Sequence, residues 1–184
     1  MNIEFDLELD NIFLFQPVGH PQITAFCTEL TGITQDMLES CTAWSEVLSQ
    51  FVTWYQNNNL TPETATFATC GLWDFATCLP GQCSFSGTTI PTMLDVSQSG
   101  AFVNVKFSYQ KHMGKYGKGI TEMQKELGLE FEGKLHSGDF FLLNRNIALP
   151  RILSVLGIDD CRNILKIMQV LAKEGFVFEH NGAR

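Results

Sequence analysis

The chain has 184 residues, 45% of them hydrophobic and 17% charged, which excludes a disordered segment and gives one domain enough length to bury a core. The net charge of −8 argues against nucleic-acid binding through the whole surface; it leaves room for a local basic groove and suits a chain that collects carboxylates for divalent cations. No apolar run approaches the roughly 20 residues that span a bilayer, and Met1 leads into an acidic segment rather than a signal peptide, so an intracellular place, cytoplasm or nucleus, is expected.

At the N-terminus Ile3, Phe5, Leu7 and Leu9 alternate with Glu4, Asp6, Glu8 and Asp10, the pattern of a half-exposed strand. Asn11 predicts a turn and residues 12–15 a second strand ended by Pro17, together a hairpin. From His20-Pro21, Ile23, Phe26, Cys27 and Leu30 recur at helical spacing until Gly32 stops the helix, and a second helical run starts at Thr34. Trp44, Val47, Leu48, Phe51, Val52 and Tyr55 form the buried stripe of a long helix, with Ser45 as its expected cap.

Residues 65–70 read as a strand covered on both faces, and Gly71 permits a sharp turn. Asp74 then opens an apolar helical run that Pro80-Gly81 is expected to stop. A carboxylate just past the end of such a strand is a candidate metal ligand, because ligands gather outside the carboxyl ends of strands in open α/β sheets. The competing reading is a helix cap. Residues 102–107 read as the next strand, and Lys106, Lys111, His112, Lys115 and Lys118, interleaved with Tyr109 and Tyr116, as a basic loop able to track a phosphate backbone.

A short helix follows from Ile120. Residues 131–138 form a loop carrying His136, and the apolar stretch 139–157 continues no neighbouring pattern. The last long helix, from about Ile158 to Glu174, buries Ile164, Leu165, Met168 and Leu171 and ends at Gly175. The six cysteines form no C-x-x-C pair and read as reduced, buried thiols. This element order predicts an α/β fold in one domain.

Several runs together carry a family resemblance: residues 20–35, Gly71-Leu72-Trp73-Asp74, residues 79–83 (Leu-Pro-Gly-Gln-Cys), His136-Ser137-Gly138 and Ile158-Asp159-Asp160-Cys161-Arg162-Asn163. The chain resembles the DEDDh 3′-to-5′ exoribonucleases of the enhanced-RNAi and histone-mRNA exonuclease family. It is most similar to the branch of prion-protein-interacting exonucleases. The resemblance implies an RNase H-like mixed sheet flanked by helices, here with the first strand or strands missing or altered. It also implies hydrolysis at RNA 3′ ends, served by four carboxylates, one histidine and two Mg²⁺ ions, with Mn²⁺ as an alternative.

Carried over by position, Asp74 and Asp160 match metal ligands and His136 matches the general base. Asp6-Leu7-Glu8 fits the letters of the first motif, so Asp6 and Glu8 complete the metal set. Residues 3–5 equally resemble the start of the family's second strand, which leaves that motif absent. Residues 139–157 separate His136 from its aspartate and read as an insertion, its origin open between a short retained intron and an ordinary insertion. Trp73, Lys111, Lys115 and Lys118 are the candidate nucleic-acid contacts. Two functions stay open: an active exoribonuclease acting on RNA 3′ ends, or a catalytically incomplete isoform that binds RNA or a protein partner.

Overall fold

The structure is a computed structural model that describes residues 8–12, 15, 19, 22–96, 101–136, 141–144, 151–153 and 157–182. It is organised around β2 (Ala65–Thr69), whose five residues are all buried. Strand geometry sends successive side chains to opposite faces. Ala65 and Phe67 accordingly join a core with Trp44, Phe51, Phe75 and Phe102, while Ala68 joins another with Val103, Tyr109, Ile164 and Met168.

Parallel strands flank β2 on both sides. One is β3 (Phe102–Asn104), in register Phe67↔Phe102 and Thr69↔Asn104; the other is β5 (Arg151–Leu153), in register Ala65↔Arg151 and Phe67↔Leu153. A second, two-stranded antiparallel sheet joins β1 (Glu8–Ile12) to β4 (Phe141–Asn144). The expected hairpin is therefore corrected. Asn11 lies within β1, opposite Leu142, and β1 takes its partner from the far end of the chain.

The helices follow the apolar stripes, with four corrections. Helix α1 (Ala25–Thr31) starts at a Thr24 cap rather than at His20-Pro21, and it buries none of its residues, with Phe26 69% exposed. Gly32 ends it at φ 82, as expected. Helix α2 (Gln35–Glu39) precedes α3 (Trp44–Asn57), which buries Trp44, Val47, Leu48, Phe51, Trp54 and Tyr55; its cap is Ala43, without a side-chain hydrogen bond, rather than Ser45.

The third correction concerns Pro80-Gly81, which stops nothing. A π-helical turn (Asp74–Cys78) runs straight into α4 (Leu79–Phe85). Leu79 N donates to Asp74 O, so the hydrogen-bond ladder has already shifted where Pro80, lacking an N–H, enters the first turn of α4. The fourth is that β3 stops at Asn104. Its side chain accepts from Lys106 N and caps α5 (Val105–Met113), so Lys106 and Lys111 stand on a helix rather than a loop.

Helices α6 (Ile120–Glu126) and α7 (Ile158–Lys173) complete the second core. The tail after α7 then crosses back to β3. Asn181 N and Gly182 N donate to Phe102 O, and Asn181 Oδ1 accepts from Asn104 N at 2.6 Å. A Cβ on Gly182 would meet the Phe102 ring at 2.0 Å, so only glycine lets the tail lie this close. The cysteines are free thiols, with Cys83 and Cys161 buried; Cys78 is exposed, contrary to expectation. Among the described residues no helix is long and apolar enough to cross a membrane.

Candidate active site

Three segments meet past the carboxyl end of β2. The first leaves β2 through Gly71, whose φ of 133 suits glycine alone, while Thr69 Oγ1 donates to Gly71 O at 2.6 Å and fixes the turn. Phe75 is then locked between Phe67 (ring centroids 5.3 Å apart) and Phe102 (5.0 Å). That anchor holds its neighbour Asp74 at the strand end. The second segment is the first turn of α7, which carries Asp160, 3% exposed. The third is the loop after α6, which ends at His136.

Asp74 and Asp160 form one electrostatic unit. Burial pushes the Asp74 carboxyl up to about 6, with the Asp160 charge adding to the shift and its own backbone N–H opposing it. Burial also raises Asp160, which the His136 N–H and ring counter. Asp160 Oδ2 accepts from His136 N at 3.1 Å and lies 3.9 Å from His136 Nδ1. Its Oδ1 is buried with no hydrogen-bond partner among the described residues. A buried acceptor without a partner is costly. A half-buried carboxylate that its buried neighbour raises, that neighbour holding an oxygen with no partner among the described residues, forms with it the hard oxygen donor set that a divalent cation takes. Among the described residues no cluster of three or more metal-ligating side chains gathers here, so these two fit such an ion without completing a cage.

His136 sits at φ 60, a left-handed backbone that non-glycine residues rarely adopt. Its side chain is 60% exposed and open to an incoming group. Asp74 is not a cap, because the turn it begins has no side-chain cap bond. Glu8 lies on β1 opposite Asn144, on a strand that does not pair with β2. Asp6 lies outside the described residues. Trp73, beside Asp74, is 67% exposed. Lys111, Lys115 and Lys118 are ion-paired to Glu179, Glu126 and Glu122 at 2.7, 3.0 and 3.1 Å.

Sequence reasoning left Cys70 out of the site and gave Lys106 only a place in the basic loop. Burial pushes the Cys70 thiol up to about 11; Lys106 opposes that shift, and Asp74 and Asp160 reinforce it. These four side chains therefore share one neighbourhood. The parallel register was the available signal: it sets Thr69 beside Asn104, and so places the residues just after each strand together.

The exonuclease family model (RNase_T) matches residues 7–139 of this chain. The chain belongs to this exonuclease family. Among family members it is 35% identical over 178 residues to the ERI1 exoribonuclease 3 of Homo sapiens, covering 94% of this chain and 46% of that relative. It therefore spans less than half the length of that relative. The ERI1 exoribonuclease 2 of Danio rerio is 30% identical over 162 residues, covering 80% of this chain and 28% of the relative.

The fold is that of the DEDDh, RNase H-like nucleases. The nuclease domain of 3′hExo, a DEDDh family member bound to rAMP, superposes with a TM-score of 0.73 at 25% identity, covering 91% of this chain and 73% of that one. Membership of this family implies divalent metal ions at the site.

Proposed function

We propose that this chain is a 3′-to-5′ exoribonuclease domain that hydrolyses the terminal phosphodiester at RNA 3′ ends, with two Mg²⁺ ions. The observation that carries the reading is the Asp74–Asp160 pair, Asp74 half-buried and Asp160 buried with its Oδ1 unpartnered among the described residues, beside His136 at the end of β2. Bound divalent ions would polarise the scissile phosphate and lower the pKa of a bound water.

The chain's own residues have distinct tasks. Asp74 and Asp160 hold the ions. With Nδ1 of His136 turned to Asp160, Nε2 is the nitrogen left to take a proton from the attacking water. Exposed Trp73 offers a face on which the terminal base can stack. Lys106 has no ion pair among the described residues and can meet a backbone phosphate directly. Lys111, Lys115 and Lys118 must exchange their carboxylate partners to do so. Asp6 and Glu8 complete the ligand set in this reading, and residues 139–157 are an insertion within the third motif.

One observation favours a second reading, a domain that binds RNA 3′ ends or a protein without cutting. The edge of β2 opposite β3 is paired with β5, and Glu8 belongs to the other sheet. Incubating the protein with 3′-labelled RNA, with and without Mg²⁺ and beside Asp74→Ala, separates the two. The first reading expects Mg²⁺-dependent release of label that Asp74→Ala abolishes. Release that ignores the substitution contradicts it, and RNA retained uncut supports the second.

A further inference from the structure

The loop that delivers His136 is fastened to α7 in a repeating manner. Glu132 N donates to Asn163 Oδ1 at 3.0 Å, Lys134 N to Asp159 Oδ2 at 2.9 Å, and His136 N to Asp160 Oδ2 at 3.1 Å. Three alternate backbone N–H groups thus find side-chain acceptors in the first two turns of one helix. Asn163 is fully buried and saturated: its Nδ2 donates to Glu132 O (2.7 Å) and Asp159 O (2.6 Å), and its Oδ1 also accepts from Gln124 Nε2 at 2.7 Å. Gly133 lets the loop pass this close. It sits at φ 82, and a Cβ there would meet the Asp159 carboxylate at 2.3 Å. The last rung holds a histidine in a strained backbone conformation, which persists only where its surroundings over-determine it.

We infer that Asp159 and Asn163 are positioning residues for His136. Together with Asp160 they form a three-rung ladder that sets the imidazole beside the candidate cation site, whatever path residues 139–157 take between loop and helix. The ladder divides the work of Asp160: Oδ2 holds the loop, and Oδ1 has no hydrogen-bond partner among the described residues. This rests on the reading of Asp74 and Asp160 as cation ligands, so its test includes a readout that needs no cation.

The test is NMR on the full chain. Amide exchange is followed at Lys134 and His136, and broadening of the His136 ring signals is followed on adding Mn²⁺. Asp159→Ala is expected to speed exchange at both amides and to lose most of the ring broadening. Asp159→Asn restores both, because an amide oxygen also accepts. Arg162→Ala, which removes only the 3.5 Å ion pair to Asp159, changes neither. Gly133→Ala acts as Asp159→Ala does. If RNA is hydrolysed, Asp159→Ala lowers kcat about 10–100-fold with little change in KM.

Unchanged exchange at His136 in both Asp159→Ala and Gly133→Ala overturns the ladder. Ring broadening retained in Asp159→Ala overturns its positioning role. Absence of broadening in the unsubstituted protein, with the exchange pattern as expected, upholds the ladder and counts against the cation site.

Discussion

Asp74 carries an electrostatic cost in the metal-free protein. Its carboxyl is raised from 3.8 to about 6, first by burial and then by Asp160. An acid whose folded-state pKa is raised adds most stability below its unfolded value and loses that contribution as pH rises through the folded one. In EDTA the protein is therefore expected to lose stability from this group between about pH 4 and 7. Asp74→Asn removes the loss and should add about 2 kcal/mol at pH 7. Urea unfolding at pH 4, 5, 6 and 7 measures it; a variant no more stable than the parent at pH 7 contradicts the assignment. At this scale the sequence made Asp74, Asp160 and His136 legible, because each stands in a short run with its own signature. Asn163 was not legible as a site residue, and Lys106 only as part of a basic loop. What matters for each is a partner on another element, and spacing along one chain does not carry that.

Elements were legible where one period dominated. Both faces of β2, the stripe of α3 and that of α7 follow from apolar spacing and are buried, except that in α3 Val52 is only half-buried and Trp54, outside the expected stripe, is buried. Elements whose hydrogen bonds overrule local preference were misread. Val105 and Phe107 favour a strand, yet the Asn104 side chain caps a helix there. Pro80 reads as a stop, yet the π-helical turn admits it.

Two predictions belong to this scale. Asn181→Ala leaves the amide of buried Asn104 without its acceptor and should cost about 1–3 kcal/mol in chemical denaturation; an unchanged midpoint would argue that the tail is dispensable to β3. Deleting residues 139–157 removes β5 from β2 and exposes a backbone edge, which invites pairing between chains. Size-exclusion chromatography of the shortened protein should show self-association, whereas a monomer as stable as the parent would show that β5 protects nothing.

For the whole molecule, a buried strand with parallel neighbours on both sides gathers the ends of β2 and β3, the start of α7 and the loop after α6 into one place. That convergence explains why a resemblance carried by scattered runs is a resemblance of site as well as of fold. It also explains what the sequence could not show. One of the two partners beside β2 comes from residues 151–153, inside a stretch that fits no pattern of the family, while β1 pairs with 141–144. Long-range strand pairing of this kind leaves no local signature.

In the proposed site Asp74 and Asp160 together hold a divalent cation. Calorimetric titration of the metal-free protein with Mn²⁺, beside Asp74→Asn and Asp160→Asn, measures this binding. Saturable binding is expected, which either substitution abolishes or weakens at least about tenfold, since each removes a charged oxygen ligand. Binding that survives both substitutions unchanged, or no binding by the unsubstituted protein, would contradict it.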